Sequence, residues 1–218
     1  MDYKYILFDL DGTVTDPGIG ITNSVMHALK KFGIIEEDRR KLYKFIGPPL
    51  ADSFQRFYQF SGEEAVLGIE YYREYYRDKG IFENVVYEGM EDLLASLKET
   101  GTELILATSK PEEFAKRILE HFHLDGYFSF VAGATMDEKR VKKAEVITYA
   151  LESNGITDLS QVLMIGDREH DIIGAHETGV KAMGVLYGYG DRRELEKAGA
   201  DYIAEDIEEI KKFLTGTA

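Results

Sequence analysis

Asp9 and Asp11 stand two residues apart in Asp9-Leu10-Asp11-Gly12-Thr13, directly after the apolar run Tyr5-Ile6-Leu7-Phe8. The run reads as a buried strand that opens into a turn. Two carboxylates at a strand end can divide a reaction between them: one attacks, its neighbour manages protons, and a divalent cation offsets their repulsion. The same five residues also suit an acidic Asp-Gly turn, a common way out of a strand. Alone they leave both readings open.

The elements that must position these groups follow from periodicity. Helical spacing covers 19–32 (Ile21, Val25, Ala28, Leu29, Phe32) and stops near Gly33. Further helices are expected over 36–45, 50–58 and 62–79, with Gly47-Pro48-Pro49 breaking the set. No strand pattern appears until about Val85, so residues 15–84 read as a helical unit inserted between 1–14 and 85–218. From Gly89 the rhythm alternates: helix 89–100, strand 103–107, a helix opened by Pro111 and reaching His121, strand 128–132, and helix 140–154. Strands 161–165 and 181–186, a short helix 192–198, a strand at Tyr202-Ile203 and a helix 206–214 complete it. The acidic Glu205-Asp206 and Glu208-Glu209 suit the start of that last helix, where the dipole favours negative charge.

Alternating strands and helices imply an α/β fold with a doubly wound parallel sheet. Such sheets bind ligands at the carboxyl ends of their strands. Thr108-Ser109-Lys110 follow the strand 103–107, and Gly166-Asp167-Arg168-Glu169-His170-Asp171 follow the strand 161–165. Both groups therefore share one sheet edge with Asp9 and Asp11.

Composition narrows the partners. The 218 residues, 44% hydrophobic and 30% charged, suit a packed core. The net charge of −14 opposes a nucleic-acid or anionic-membrane partner. A small anionic substrate still fits if a bound cation and a few Lys or Arg reverse the potential in one pocket. The absence of cysteine removes disulfides and thiolate catalysis. No apolar run is long enough for a bilayer. Met1-Asp2-Tyr3-Lys4 leads into the first strand without room for a signal peptide, so the expected compartment is the cytoplasm. The five histidines show no metal-binding spacing, and His170 is read as a rim residue.

With these motifs in place the chain resembles the haloacid dehalogenase superfamily of phosphohydrolases. Asp9-Leu10-Asp11-Gly12-Thr13 matches its first motif, Thr108 its second, and Gly166-Asp167 with Asp171 its fourth; Lys143 is the best match to the lysine before the fourth. Gly47-Pro48-Pro49-Leu50, Thr108-Ser109-Lys110-Pro111 and Gly188-Tyr189-Gly190 resemble the phosphoglycolate phosphatase-like branch. Tyr87-Glu88-Gly89 departs from it, since many relatives carry Pro before that Gly. The resemblance implies a Rossmann-like core at 1–14 and 85–218 and a helical cap at 15–84.

It also implies roles. Asp9 is the nucleophile, and Asp11 the general acid that later activates water. Mg²⁺ is held by Asp9, the backbone carbonyl of Asp11 and Asp167, while Asp171 orients Asp167 or pairs with Lys143. Thr108 and Lys143 steady the transferring phosphoryl oxygens; Thr13, Gly47, Ser109 and Lys110 contact substrate. From the residues alone, alternatives stay open. Thr108 or Ser109 also reads as a helix cap, Lys142 competes with Lys143, and Lys110 also reads as a surface lysine. Lys143 shares a helical face with Ile147, Ala150 and Leu151, which turns it toward the core. Tyr71, Tyr72, Tyr75 and Tyr76 read as cap core or cap surface, and Lys44 and Arg56 as candidates for a substrate carboxylate.

Asp11 favours phosphoester chemistry over dehalogenation, because displacing a halide needs no proton donor. The expected activity is Mg²⁺-dependent hydrolysis of a small phosphorylated metabolite, 2-phosphoglycolate first. A 5'-nucleotidase, a pyrophosphatase and a sugar phosphomutase are the alternatives, and Asp11 argues against a mere phospho-acceptor switch. The expected assembly is a monomer or homodimer.

Overall fold

Six strands pair in parallel in the order β5-β4-β1-β6-β7-β8: β1 (Tyr5–Phe8), β4 (Glu103–Pro111), β5 (Phe130–Ala134), β6 (Val162–Gly166), β7 (Lys181–Val185) and β8 (Tyr202–Ala204). The computed structural model describes residues 3–137 and 139–216; Met1 and Asp2, which open the segment argued to leave no room for a leader, lie outside the described residues. Chain order runs outward from β1 to β4 and β5 on one side, then to β6, β7 and β8 on the other. The winding reverses at β1, so its carboxyl end is the topological switch point where such sheets form their crevice. The fold is thus α/β and Rossmann-like, as its alternating pattern predicts.

The registers explain the continuous apolar runs. Leu7 pairs between Ile105 and Met164, and all three are buried with Val146, Ile147, Ala150, Ile172 and Ala175 from the helices α6 (Lys143–Ser153) and α7 (Glu169–Glu177). Ile6, Phe8, Leu104 and Leu106 alternate with them and are also fully buried. Helices α4 (Met90–Glu99), α5 (Glu112–His121) and α9 (Ile207–Thr215), with the short α8 (Arg192–Ala198), complete the layers. Period-two alternation with both sets buried is what a sheet covered on both faces requires.

The chain divides into two compact units, Met1–Thr15 with Val86–Ala218, and Asp16–Val85. The second contains α1 (Gly18–Lys31), α2 (Leu50–Tyr58) and α3 (Gly62–Tyr76). Its core is aromatic: Phe54 stacks on Phe60 at 5.5 Å and meets Phe45 edge-on at 5.2 Å, while Tyr72 and Tyr76 stack at 5.1 Å. Tyr71 packs on Phe32, and the Tyr75 hydroxyl donates to Glu83. The start of α3 is fixed by a capping box, in which Ser61 and Glu64 satisfy each other's backbone N–H. Two-residue strands β2 (Thr15–Asp16) and β3 (Val85–Val86) pair with each other; β2 carries no sequence signal at that length.

Several elements differ from the sequence reading. Residues 36–45 do not form an α-helix; a 3-10 helix spans Arg39–Phe45, opened by the Asp38 side chain accepting from the Arg40 N–H. Strand β4 runs on to Pro111, so Thr108, Ser109 and Lys110 lie within the strand rather than after it. Pro111 is then the N-cap of α5, not its first turn. Helix α6 starts at Lys143, three residues later than expected. Helix α7 is missing from the sequence reading altogether, because it opens on Glu169-His170-Asp171 and carries Gly174 in its interior. Gly174 has a packing reason: a Cβ there would sit 2.8 Å from Lys143 Cβ and 2.9 Å from the Ala144 nitrogen. The close approach of α6 to α7 seats Lys143 over the sheet edge. Elsewhere ends move by up to three residues, within the ambiguity of frayed termini.

Candidate active site

Asp9 leaves β1 still in the ladder, its N–H donating to the Ile165 carbonyl at 2.9 Å. The chain then turns sharply, with the N–H groups of Val14 and Thr15 both converging on the Leu10 carbonyl at 2.9 Å. The turn brings the Asp11 side chain back to the same edge. Asp9, Asp11, Thr13, Thr108, Lys110, Lys143, Asp167 and Asp171 are all buried.

Lys143 is the hub. Its Nζ lies 2.8 Å from both Asp9 Oδ1 and Asp171 Oδ1 and donates to the Ala107 carbonyl at 3.0 Å. Lys142 is exposed, so of the two lysines it is Lys143 that meets the acidic residues. Lys110 is not a surface residue: its Nζ pairs with Asp11 Oδ2 at 2.7 Å, both groups buried. Thr108 Oγ1 accepts from the Lys110 N–H at 3.2 Å. Neither Thr108 nor Ser109 caps α5, whose N-cap position belongs to Pro111. Ser109 is half-buried beside them.

Asp167 is gripped from two directions. Its Oδ2 accepts from the Tyr189 N–H at 2.8 Å, and the Thr13 hydroxyl lies 3.5 Å from Oδ1. Asp171 Oδ2 accepts from the Arg168 N–H at 3.1 Å, so both its oxygens are engaged. One oxygen each of Asp9, Asp167 and Asp171 can be chosen within 4.8 Å of one another. Gly47 belongs to the helical unit, where it adopts φ +100° between the 3-10 helix and α2. In that unit Lys44 and Arg56 both lie against the Phe57 ring, at 4.3 and 5.5 Å from its centroid. His170 is half-buried at the start of α7.

The electrostatics follow from the census. Four buried carboxylates face two buried ammonium groups. Burial pushes Asp11 above the usual carboxylate range despite Lys110, and pushes up Asp167, where Asp171 and Asp9 add to the effect. Burial likewise raises Asp171, against the pull of Lys143. Burial also opposes charge on Lys143, but Asp171 and Asp9 outweigh it and raise that group above its ordinary value. Asp11 Oδ1 is buried without a hydrogen-bond partner. A hard divalent cation suits this donor set: it is all oxygen, over-acidic by two charges, and partly unsatisfied.

This is an α/β protein of the doubly wound type, with four buried carboxylates and two buried lysines gathered at the switch point of its parallel sheet. Residues 6–185 match the haloacid dehalogenase-like hydrolase family, and the chain belongs to it. A solved structure of a predicted phosphatase from Clostridium acetobutylicum is 49% identical, with TM-score 0.96 over 99% of both chains. A 5'-nucleotidase of Pseudomonas aeruginosa is 42% identical over 97% of this chain and 96% of its own. A phosphoglycolate phosphatase of Vibrio parahaemolyticus is 26% identical over 100% and 98%. Within its family the chain stands among the phosphatases. Among the described residues no helix is long and apolar enough to cross a membrane.

Proposed function

We propose that this chain is a Mg²⁺-dependent phosphomonoesterase that works through an aspartyl-phosphate on Asp9. The observation that carries the reading is the pairing of the two turn aspartates with different lysines, Asp9 with Lys143 and Asp11 with Lys110, beside Asp167 and an Asp171 that shares Lys143 with Asp9, so that four buried carboxylates meet two ammonium groups. Neighbouring carboxylates in unlike environments can take unlike roles.

Asp9 and Asp167 would hold the cation through their carboxylates and Asp11 through its backbone carbonyl. Asp171 lies close enough to join them, but Lys143 and the Arg168 N–H already engage its two oxygens, so we assign it to orienting Lys143. When bound, the ion supplies positive charge that lets an anionic phosphoryl group approach the acidic cluster. An Asp9 oxygen attacks phosphorus, the bond to the leaving oxygen breaks, and Asp11 donates its proton to that oxygen. Asp11, now a carboxylate, takes a proton from water as the water attacks phosphorus. The bond to Asp9 breaks and inorganic phosphate leaves. Thr108 and Lys143 hold the equatorial oxygens, where charge is spread in the transition state. Thr13, Ser109 and Lys110, with Gly47 from the helical unit, are assigned to substrate contact. That unit is read as the substrate-selecting cap.

For substrate, the relative named a 5'-nucleotidase stands at 42% identity and the phosphoglycolate phosphatase at 26%. This supports a nucleoside 5'-monophosphate ahead of 2-phosphoglycolate. The cytoplasm is the proposed compartment, and a monomer or homodimer the proposed assembly.

The test is kcat/KM for phosphate release with Mg²⁺ across 5'-nucleotides, 2-phosphoglycolate, pyrophosphate and sugar phosphates. A nucleotide preference of tens-fold, about 2 kcal/mol in transition-state binding, is the expected outcome. A peak on 2-phosphoglycolate would keep the mechanism and replace the substrate. Substantial turnover in Asp9→Asn would remove the nucleophile.

A further inference from the structure

The segment after β7 returns to the acidic cluster and lies against Asp167 and the Thr13 turn. The Tyr187 hydroxyl donates to the Thr13 carbonyl at 2.9 Å, and the Tyr189 N–H donates to Asp167 Oδ2 at 2.8 Å. Between and beyond them the backbone lies directly on Asp167. A Cβ on Gly188 would meet Asp167 Cβ at 2.4 Å, and one on Gly190 would meet the Asp167 carbonyl oxygen at 2.0 Å. No side chain fits at either position without moving that loop.

The strap ends in α8, and α8 reaches back. Asp191 caps the helix by accepting from the Glu194 N–H at 2.8 Å, which fixes where Glu194 leaves the backbone. Glu194 Oε1 then accepts from Arg168 Nε at 2.8 Å and from the Glu169 N–H at 2.9 Å. Arg192, Arg193 and Glu196 on the same helix are exposed, whereas the Glu194 side chain is largely withdrawn from solvent. One carboxylate oxygen thus bridges Arg168 and Glu169, while the strap lies against Asp167 just before them. The charge-assisted bond to Arg168 is of the stronger kind.

We propose that Glu194 is a positioning residue for Asp167. By holding Arg168 and the Glu169 N–H it sets the backbone from which Asp167 projects, and with it the bond from the Tyr189 N–H that aims the carboxylate at the cation. Outer partners of this kind tune metal affinity because the ligand is worth most when its orientation needs no rearrangement. The inference rests on the reading of Asp167 as a cation ligand.

The experiment titrates Mn²⁺ into the full chain, with free ion counted by EPR, for wild type, Asp167→Asn, Glu194→Ala, Glu194→Asp and Glu194→Gln. Thermal melts of each are recorded alongside. Asp167→Asn loses the site. Glu194→Ala and the shortened Glu194→Asp weaken binding about tenfold, whereas Glu194→Gln, which loses the charge but whose amide oxygen can still accept both N–H groups, weakens it measurably less than either. At saturating metal the KM for phosphoester is unchanged in all three Glu194 variants. Wild-type affinity in both Glu194→Ala and Glu194→Asp overturns the proposal, even if their melting points fall, because Glu194 would then be only a structural tie. Should Glu194→Ala not fold, the contrast between Glu194→Asp and Glu194→Gln decides on the same terms. Equal binding by wild type and Asp167→Asn would instead overturn the ligand reading, and this inference with it.

Discussion

Asp9→Asn should raise the melting temperature of the metal-free protein while abolishing turnover, and Mg²⁺ should reverse the order of stabilities. The magnitude follows from three neighbours. Asp9 lies 2.8 Å from the Lys143 ammonium, an attraction of about 6 kcal/mol at an effective dielectric near 20. One of its oxygens also lies within 4.8 Å of one oxygen each of Asp167 and Asp171, two repulsions of at least about 3.5 kcal/mol each on the same scale. With both neighbours ionised, repulsion exceeds attraction by about 1 kcal/mol, before the desolvation of a buried carboxylate, which adds in the same direction. For a chain of this length that corresponds to about 2–4 °C in melting temperature. A cation at 100 times its dissociation constant contributes about 2.7 kcal/mol to a folded protein that binds it. The variant, missing one ligand, gains less. The assay is a pair of thermal melts for each protein, at pH 8, in EDTA and in Mg²⁺. A crossing of the two pairs is the expected result. A variant that melts below wild type in EDTA, or an equal Mg²⁺ gain in both proteins, would refute the charge argument.

Other perturbations probe the same physics elsewhere. Lys143→Met leaves Asp9 and Asp171 buried without their shared cation, and should cost about 3 kcal/mol or more in urea unfolding without metal; a loss under about 1 kcal/mol would place the balancing charge elsewhere. Asp201 supplies a pH signature. Its Oδ2 accepts from the Ala182 N–H and pairs with His176 Nε2, both at 2.9 Å. Burial opposes its charge, but these bonds win and hold it below the usual carboxylate range. Because its folded value is depressed, its stabilisation is present above the unfolded value near about 4 and is lost as pH falls through the folded one. The stability gap between wild type and Asp201→Asn should shrink as pH falls below about 4. A gap that stays constant down to pH 2.5 would contradict the assignment.

The positions of strands and the edge they share were legible in the sequence because both depend on short-range patterns. Apolar runs such as Leu104-Ile105-Leu106-Ala107 and Val162-Leu163-Met164-Ile165 sit in strands with both faces covered, which needs no partner to be identified. Chain order and the rule for parallel sheets then placed Asp9, Thr108 and Asp167 together. Helix α7 escaped notice because Gly174, a poor helix former, is there for contact with α6, and that contact lies thirty residues away in sequence. The 3-10 helix at Arg39–Phe45 escaped for a related reason: its apolar residues Leu42 and Phe45 have spacing that an α-helix would also accept.

Residue types and spacing by themselves determined the carboxylate pair, the strand that ends in it and the class of fold, since each is written in a window of about ten residues. Tertiary structure alone decided which groups share a charge. The sharing of Lys143 between Asp9 and Asp171, the burial of Lys110 against Asp11, and the Glu194 tie to the Asp167 turn all join residues from different elements. Coulomb and hydrogen-bond energies depend on separations of a few ångströms that chain order does not carry.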